Sequence, residues 1–249
     1  MSISQQTPAT TIRSHIGSVL WIIAPWMLLA TTLRTFGVVS YPSGMLLFLF
    51  AELVLFIAFL LASQRWIEAT GGNVGYSGLD IVQQLAMAKG ILWRLAAIGL
   101  VAHYGAWLLG LKAVYTTPLV YGFDAVAFNR FNDFTLLWGP LMGTLAFLML
   151  VDQSMGRNPT FLGAISLFRR HWRYLVPVIV LLIPVLAIFN SVQWTVGPMI
   201  RSTLNLLGLE SLTTPAVIFF LFAFASLRLA GTIALLTFAL KASYGSGKT

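Results

Sequence analysis

Glu52 stands alone in "LLFLFAELVLFIAFLL" (46–61), where the other fifteen residues are apolar. A carboxylate at the centre of a membrane helix costs about 3 kcal/mol on insertion scales, so it needs a counter-charge, a proton or a chemical task. Two residues answer to it. Arg228 lies near the middle of "FAFASLRLAGTIALL", and His103 near the middle of "LAAIGLVAHYGAWLLG". Counted from the outer ends of their spans at ~1.5 Å per residue, Glu52 lies about 15 Å deep and Arg228 about 20 Å. An arginine side chain can bridge that offset if the two helices are neighbours. His103 shares a helical stripe with Ala96, Gly99, Ala106 and Gly110, and Arg228 is flanked by Ala225, Gly231 and Thr232. Small residues at that spacing let helices approach closely, so both polar residues are expected to face protein. The cluster Glu52, His103 and Arg228 then has three readings: an ion pair that locks the bundle, a relay or binding path for protons, ions or a charged headgroup, or no meeting of the pair, with Glu52 protonated or contacting a partner subunit.

A second set of residues belongs at a membrane surface. Trp93-Arg94 and Trp172-Arg173 each precede a long apolar run, where an aromatic belt and snorkelling arginines are expected. Ahead of the second pair, Phe161, Ile165, Phe168 and Trp172 fall on one helical stripe, with Arg169, Arg170 and Arg173 mostly off it. Ahead of the first, Ile81, Leu85, Ala88 and Leu92 do the same, with Gln83, Gln84 and Lys89 off the stripe. Both segments read as amphipathic helices lying in the headgroup layer, cations toward anionic lipid. Other chemistry finds no support. His15, His103 and His171 are spread over different depths, which suits neither metal nor haem. The C-terminal "ASYGSGKT" fits a loosened phosphate-loop pattern but follows a membrane span and has no helix after it. No serine elbow of a hydrolase is present. No cofactor is expected.

The elements that must hold these residues follow from composition. With 58% hydrophobic and 9% charged residues, the chain departs far from the roughly 25% charge of a soluble domain. Apolar runs predict an all-α, polytopic membrane protein with six spans at about 16–33, 43–63, 91–111, 134–152, 174–190 and 214–240, forming one domain over 1–249 after a cytoplasmic tail at 1–15. Pro25, Pro140, Pro177 and Pro184 fall inside spans, where proline kinks are common. The first span reads as uncleaved, since no small-residue cleavage site follows it. Lys and Arg divide ten to four between the two sides when both termini are cytoplasmic, with Arg34, Lys112, Arg130 and Arg201 on the outside. The net charge of +8 is therefore a topology signal, and no nucleic-acid partner is expected. The long outer connections, 112–133 and 191–213, are apolar enough to lie on the outer membrane surface or pack over the mouth of the bundle. Without cysteine there are no disulfides or thiolate metal sites.

The segment "AISLFRRHWRYL" resembles an element repeated in bacterial six-span inner-membrane families, which include the membrane domain attached to some glycerophosphodiester phosphodiesterases and its stand-alone relatives. The resemblance covers residues 160–180, and weakly 80–95. It implies a six-span helical fold in a bacterial inner membrane and no activity of its own; a soluble phosphodiesterase domain is not expected here, so no catalytic residue carries over. The expected role is a non-enzymatic accessory or structural subunit of a membrane assembly or transport system, in contact with membrane lipid and other membrane subunits. The alternative is a small proton-coupled transporter or channel that uses Glu52, His103 and Arg228.

Overall fold

A computed structural model describes residues 8–39, 44–72, 75–112, 123, 126–128, 133–154 and 160–246. These form six α-helices and two single 3-10 turns, with no strand among the described residues. The helices are α1 (Pro8–Val39), α2 (Met45–Ala69), α3 (Ile81–Leu108), α4 (Asp133–Ser154), α5 (Phe161–Leu206) and α6 (Thr213–Ser246). Five contain spans long and apolar enough to cross a membrane, and α4 holds a shorter apolar stretch, Leu137–Asp152.

Helix ends are set by local chemistry. Asp80 starts α3 with a reciprocal capping box, its carboxylate accepting from the Gln83 N–H while the Gln83 side chain accepts from the Asp80 N–H. Thr160 starts α5, its hydroxyl oxygen accepting from the Gly163 N–H at 2.9 Å. At the far end of α5, Gly208 takes φ +69°, and the Leu209 N–H reaches back to the Leu204 carbonyl. That is the left-handed cap which glycine adopts without a Cβ penalty, and it turns the chain into α6.

Helix α2 is the axis of the bundle: residues 51–64 are buried except for half-buried Leu53. Around it pack α1, α3, α4 and α6, while α5 leans on α4 and α6. The α1–α2 hairpin is tight, since a Cβ placed on Gly44 would lie 2.4 Å from the Gly37 carbonyl oxygen. Trp66, fully buried near the end of α2, ties it to α6 by donating from Nε1 to the Ala230 carbonyl at 3.0 Å.

Several expectations need correction. The segments read as separate surface helices are the first turns of α3 and α5, continuous with the apolar runs that follow. Nothing between 161 and 206 ends the helix, and Pro177, Pro184 and Pro198 are accommodated inside it. The result is ~69 Å of helix at ~1.5 Å per residue, more than twice a hydrocarbon core of about 30 Å. It also absorbs most of the expected outer connection 191–213, whose residues 191–206 are helical. The stripe that faces the bundle differs as well. Ala164, Leu167, His171 and Leu175 are buried, while Phe161, Ile165 and Trp172 point outward.

Of the other connection, 112–133, the described residues 123 and 126–128 are buried in the bundle. Phe123 packs edge-on against Phe56 and Phe59, at ring separations of 4.8 and 5.1 Å, halfway along α2. Val126 fills the space beside Gly143. This part of the connection enters the bundle and does not lie over it. Residues 1–7 of the tail, Arg130, Arg157, Lys248 and the last residues of "ASYGSGKT" lie outside the described residues.

Candidate functional site

Three buried charged residues, Arg34, Glu52 and Arg228, lie on the mutually packed helices α1, α2 and α6. Arg34 and Glu52, 7% and 8% exposed, form an ion pair with Nη1 3.6 Å from Oε1. Helix α1 continues five residues past Arg34, so the guanidinium is drawn back into the hairpin and does not project from its end. Two aromatic faces hold it there: the guanidinium carbon lies 4.7 Å from the Phe128 ring centre and 5.7 Å from that of Phe48. A weakly hydrated, planar cation suits such a slot between a carboxylate and two rings. Phe128 comes from the inserted connection, so that segment and the ion pair are built as one unit.

Arg228 is 2% exposed on α6, a helix that packs on both α1 and α2, and Ala225 and Thr232 are buried beside it. His103 is half-buried on α3, whose main neighbours are α2 and α4. Its Nδ1 is buried and makes no hydrogen bond among the described residues. The ion-pair contact of Glu52 described here is thus with Arg34, a residue that sequence reasoning counted as an outer-loop charge. One signal for it exists in the chain. Arg34 and Glu52 stand eight residues before and after positions 42 and 44 of the turn-forming "YPSG", so a closed hairpin brings them level.

The surface residues lie on the outer sides of α3 and α5. Arg94 is exposed on α3 and folds back to donate to the Gly90 carbonyl at 2.9 Å; Trp93 beside it is largely exposed. On α5, Arg169, Arg170, Trp172 and Arg173 are all exposed, and the Arg173 guanidinium lies 5.9 Å over the Trp172 ring. His171 turns the other way. It is buried, its Nδ1 hydrogen-bonds the Ser243 hydroxyl, and its ring lies 4.7 Å from that of Tyr244 on α6. It fastens the start of α5 to the end of α6, a contact that no motif announces. Asp152 closes the same end from α4: its carboxylate packs against Gly163, where a Cβ would lie 2.1 Å from Oδ2. A carboxylate there meets the positive end of the α5 dipole.

Among the described residues, no three His, Cys, Asp or Glu side chains stand close enough to hold a metal ion. Compared with known proteins, the chain matches no family, no curated protein and no solved structure.

Proposed function

We propose that this chain is a non-enzymatic integral membrane protein acting as an accessory or structural subunit of a membrane assembly, set in a bacterial inner membrane with both termini cytoplasmic. The observation that carries the reading is what the interior does with its charge. Glu52 is bound to Arg34, and Arg34 is clamped between two phenylalanine rings, so these buried groups act as fasteners between α1 and α2. Outside, α3 presents Val101, Tyr104 and Trp107, and α5 presents Val180, Ile188 and Trp194, all more than half exposed. Large apolar faces of this kind suit lipid and neighbouring membrane helices. Extraction from native membranes in a mild detergent, followed by measurement of particle mass, tests the role. A stoichiometric partner is expected, and a monodisperse chain running alone overturns the subunit reading.

One observation favours the transport alternative. Phe123 and residues 126–128 bring 3-10 and turn backbone outside the long α-helices to the middle of the bundle, which membrane proteins tolerate where it is buried in protein or lines a water-filled path. Proton flux into vesicles that is abolished by Glu52→Gln, in protein that still folds, would establish this alternative over the subunit role.

A further inference from the structure

The end of the molecule where α5 begins and α6 finishes exposes Arg169, Arg170, Arg173 and Lys241. After Asp152 the chain has a single acidic residue, Glu210, against eight lysines and arginines. Glu210 sits at the opposite end of α6 from Lys241, ~46 Å away along the helix at ~1.5 Å per residue. That is several Debye lengths at physiological salt. Asp152 is buried against Gly163, about 10 Å along α5 from Arg170. No carboxylate among these neutralises the patch.

The His171–Ser243 and His171–Tyr244 contacts bring two exposed faces together. On α6, Lys241 and Tyr244 are one turn apart and exposed. On α5, Arg170 adjoins His171, whose ring meets Tyr244, and Arg173 is one turn further along. Above Arg173 the outward face of α5 changes character: Val176, Val180 and Leu181 are exposed and apolar. Trp172 stands at that boundary with Arg173 against its ring. A guanidinium, an ammonium and a phenol hydroxyl thus stand at this junction just outside an apolar belt, with the Arg173 guanidinium one turn along α5. All are hydrogen-bond donors, and this combination recognises a phosphate ester.

We propose that Arg170, Arg173, Lys241 and Tyr244 form a binding site for the phosphate group of an anionic membrane lipid, with Trp172 at the level of the headgroups. The site rests on the reading of the chain as a membrane protein, and it adds two α6 residues to headgroup contacts that the sequence placed on α3 and α5.

The test uses the full chain, delipidated in a neutral detergent and titrated separately with phosphatidylglycerol, phosphatidylcholine and sodium phosphate. Lipid retention is read by native mass spectrometry, and unfolding by tryptophan fluorescence. Phosphatidylglycerol is expected to be retained and to raise the unfolding temperature, while phosphatidylcholine does neither. The Arg170→Gln/Lys241→Gln double variant should weaken that binding about thirty-fold. Arg201→Gln, exposed toward the other end of α5, should leave it unchanged. Because all three positions are exposed, each variant should match the parent's unfolding temperature without lipid, which separates lost binding from lost folding. Equal retention of the two lipids, or full retention by the double variant, would overturn the site. Saturation by sodium phosphate alone, with no gain from lipid, would overturn the lipid assignment. A chain that remains soluble without detergent would instead bring down the membrane reading itself.

Discussion

At the scale of single residues, the Arg34–Glu52 pair turns a costly carboxylate into a fastener. Removing one partner of a buried ion pair leaves the other's charge uncompensated, which costs about 3–5 kcal/mol, whereas replacing both by apolar groups is often neutral. Glu52→Gln should therefore lower unfolding free energy in detergent by an amount in that range. Arg34→Met combined with Glu52→Leu should recover most of it. The same cycle run with Arg228→Met measures whether α6 shares the pair: a coupling larger than that with Arg34 would make Arg228 the principal partner. Tyr76 offers a test outside the spans. Its side chain is fully buried between α2 and α3, its hydroxyl donates to the Gln84 carbonyl at 3.3 Å, and burial pushes that hydroxyl well above the ordinary tyrosine range. The folded state disfavours the phenolate, so this contribution to stability is complete below the unfolded pKa of about 10 and falls as the pH rises above it. Tyr76→Phe removes the titrating group. It should flatten the decline of unfolding temperature above about pH 10, and an unchanged slope would refute the assignment.

At the scale of elements, two glycines mark where helices cannot be pushed apart without cost. A methyl group at Gly44 would press on the Gly37 backbone, which cannot swing away, so Gly44→Ala should cost about 1–3 kcal/mol and loosen the α1–α2 hairpin. At Gly163 the obstacle is the Asp152 carboxylate, so Gly163→Ala should cost a similar amount and be partly relieved by Asp152→Ala. Asp152→Ala alone should destabilise, because the α5 dipole loses its anion; thermal unfolding of the three variants reads the cycle. These contacts lay beyond the sequence because they depend on which turns of two helices meet. What could be read was where the long apolar runs lie; the extent of α5 could not, because its helix runs on from both sides of 174–190. The inward face of α5 could not be read from size and hydropathy. Lipid accepts Phe161 and Ile165 as readily as a protein core does, so large apolar side chains do not point inward in a membrane helix. The buried stripe is marked by small Ala164 and polar His171, the same criterion that pointed to Gly99 on α3, which is buried. The division of α5 into a surface helix, a span and a loop failed because amphipathicity alone does not end a helix.

At the scale of the whole molecule, α5 offers a direct measure of how the bundle sits in a bilayer. Between Arg173 and Arg201 the chain carries no charged residue, and those positions lie ~42 Å apart along a helix at ~1.5 Å per residue. A hydrocarbon core of about 30 Å fits between them with both guanidiniums in water, so α5 can cross once with each end emerging. Exposed basic side chains crowd the Arg173 end, where Arg169, Arg170 and Lys241 also lie, and the charge bias predicts a cytoplasmic location for that end. The absence of cysteine makes the prediction easy to read, because any thiol introduced is the only one in the chain. Ser202→Cys and Ser166→Cys both sit at exposed positions on α5, beyond the uncharged stretch on opposite sides. In intact spheroplasts a membrane-impermeant maleimide should label the cysteine at 202 and leave the one at 166 unlabelled until the membrane is opened. The reverse pattern would invert the topology and move the basic end outside. Labelling of both positions in intact spheroplasts would mean that α5 does not cross the membrane, and its outward apolar face would then have to be covered by protein.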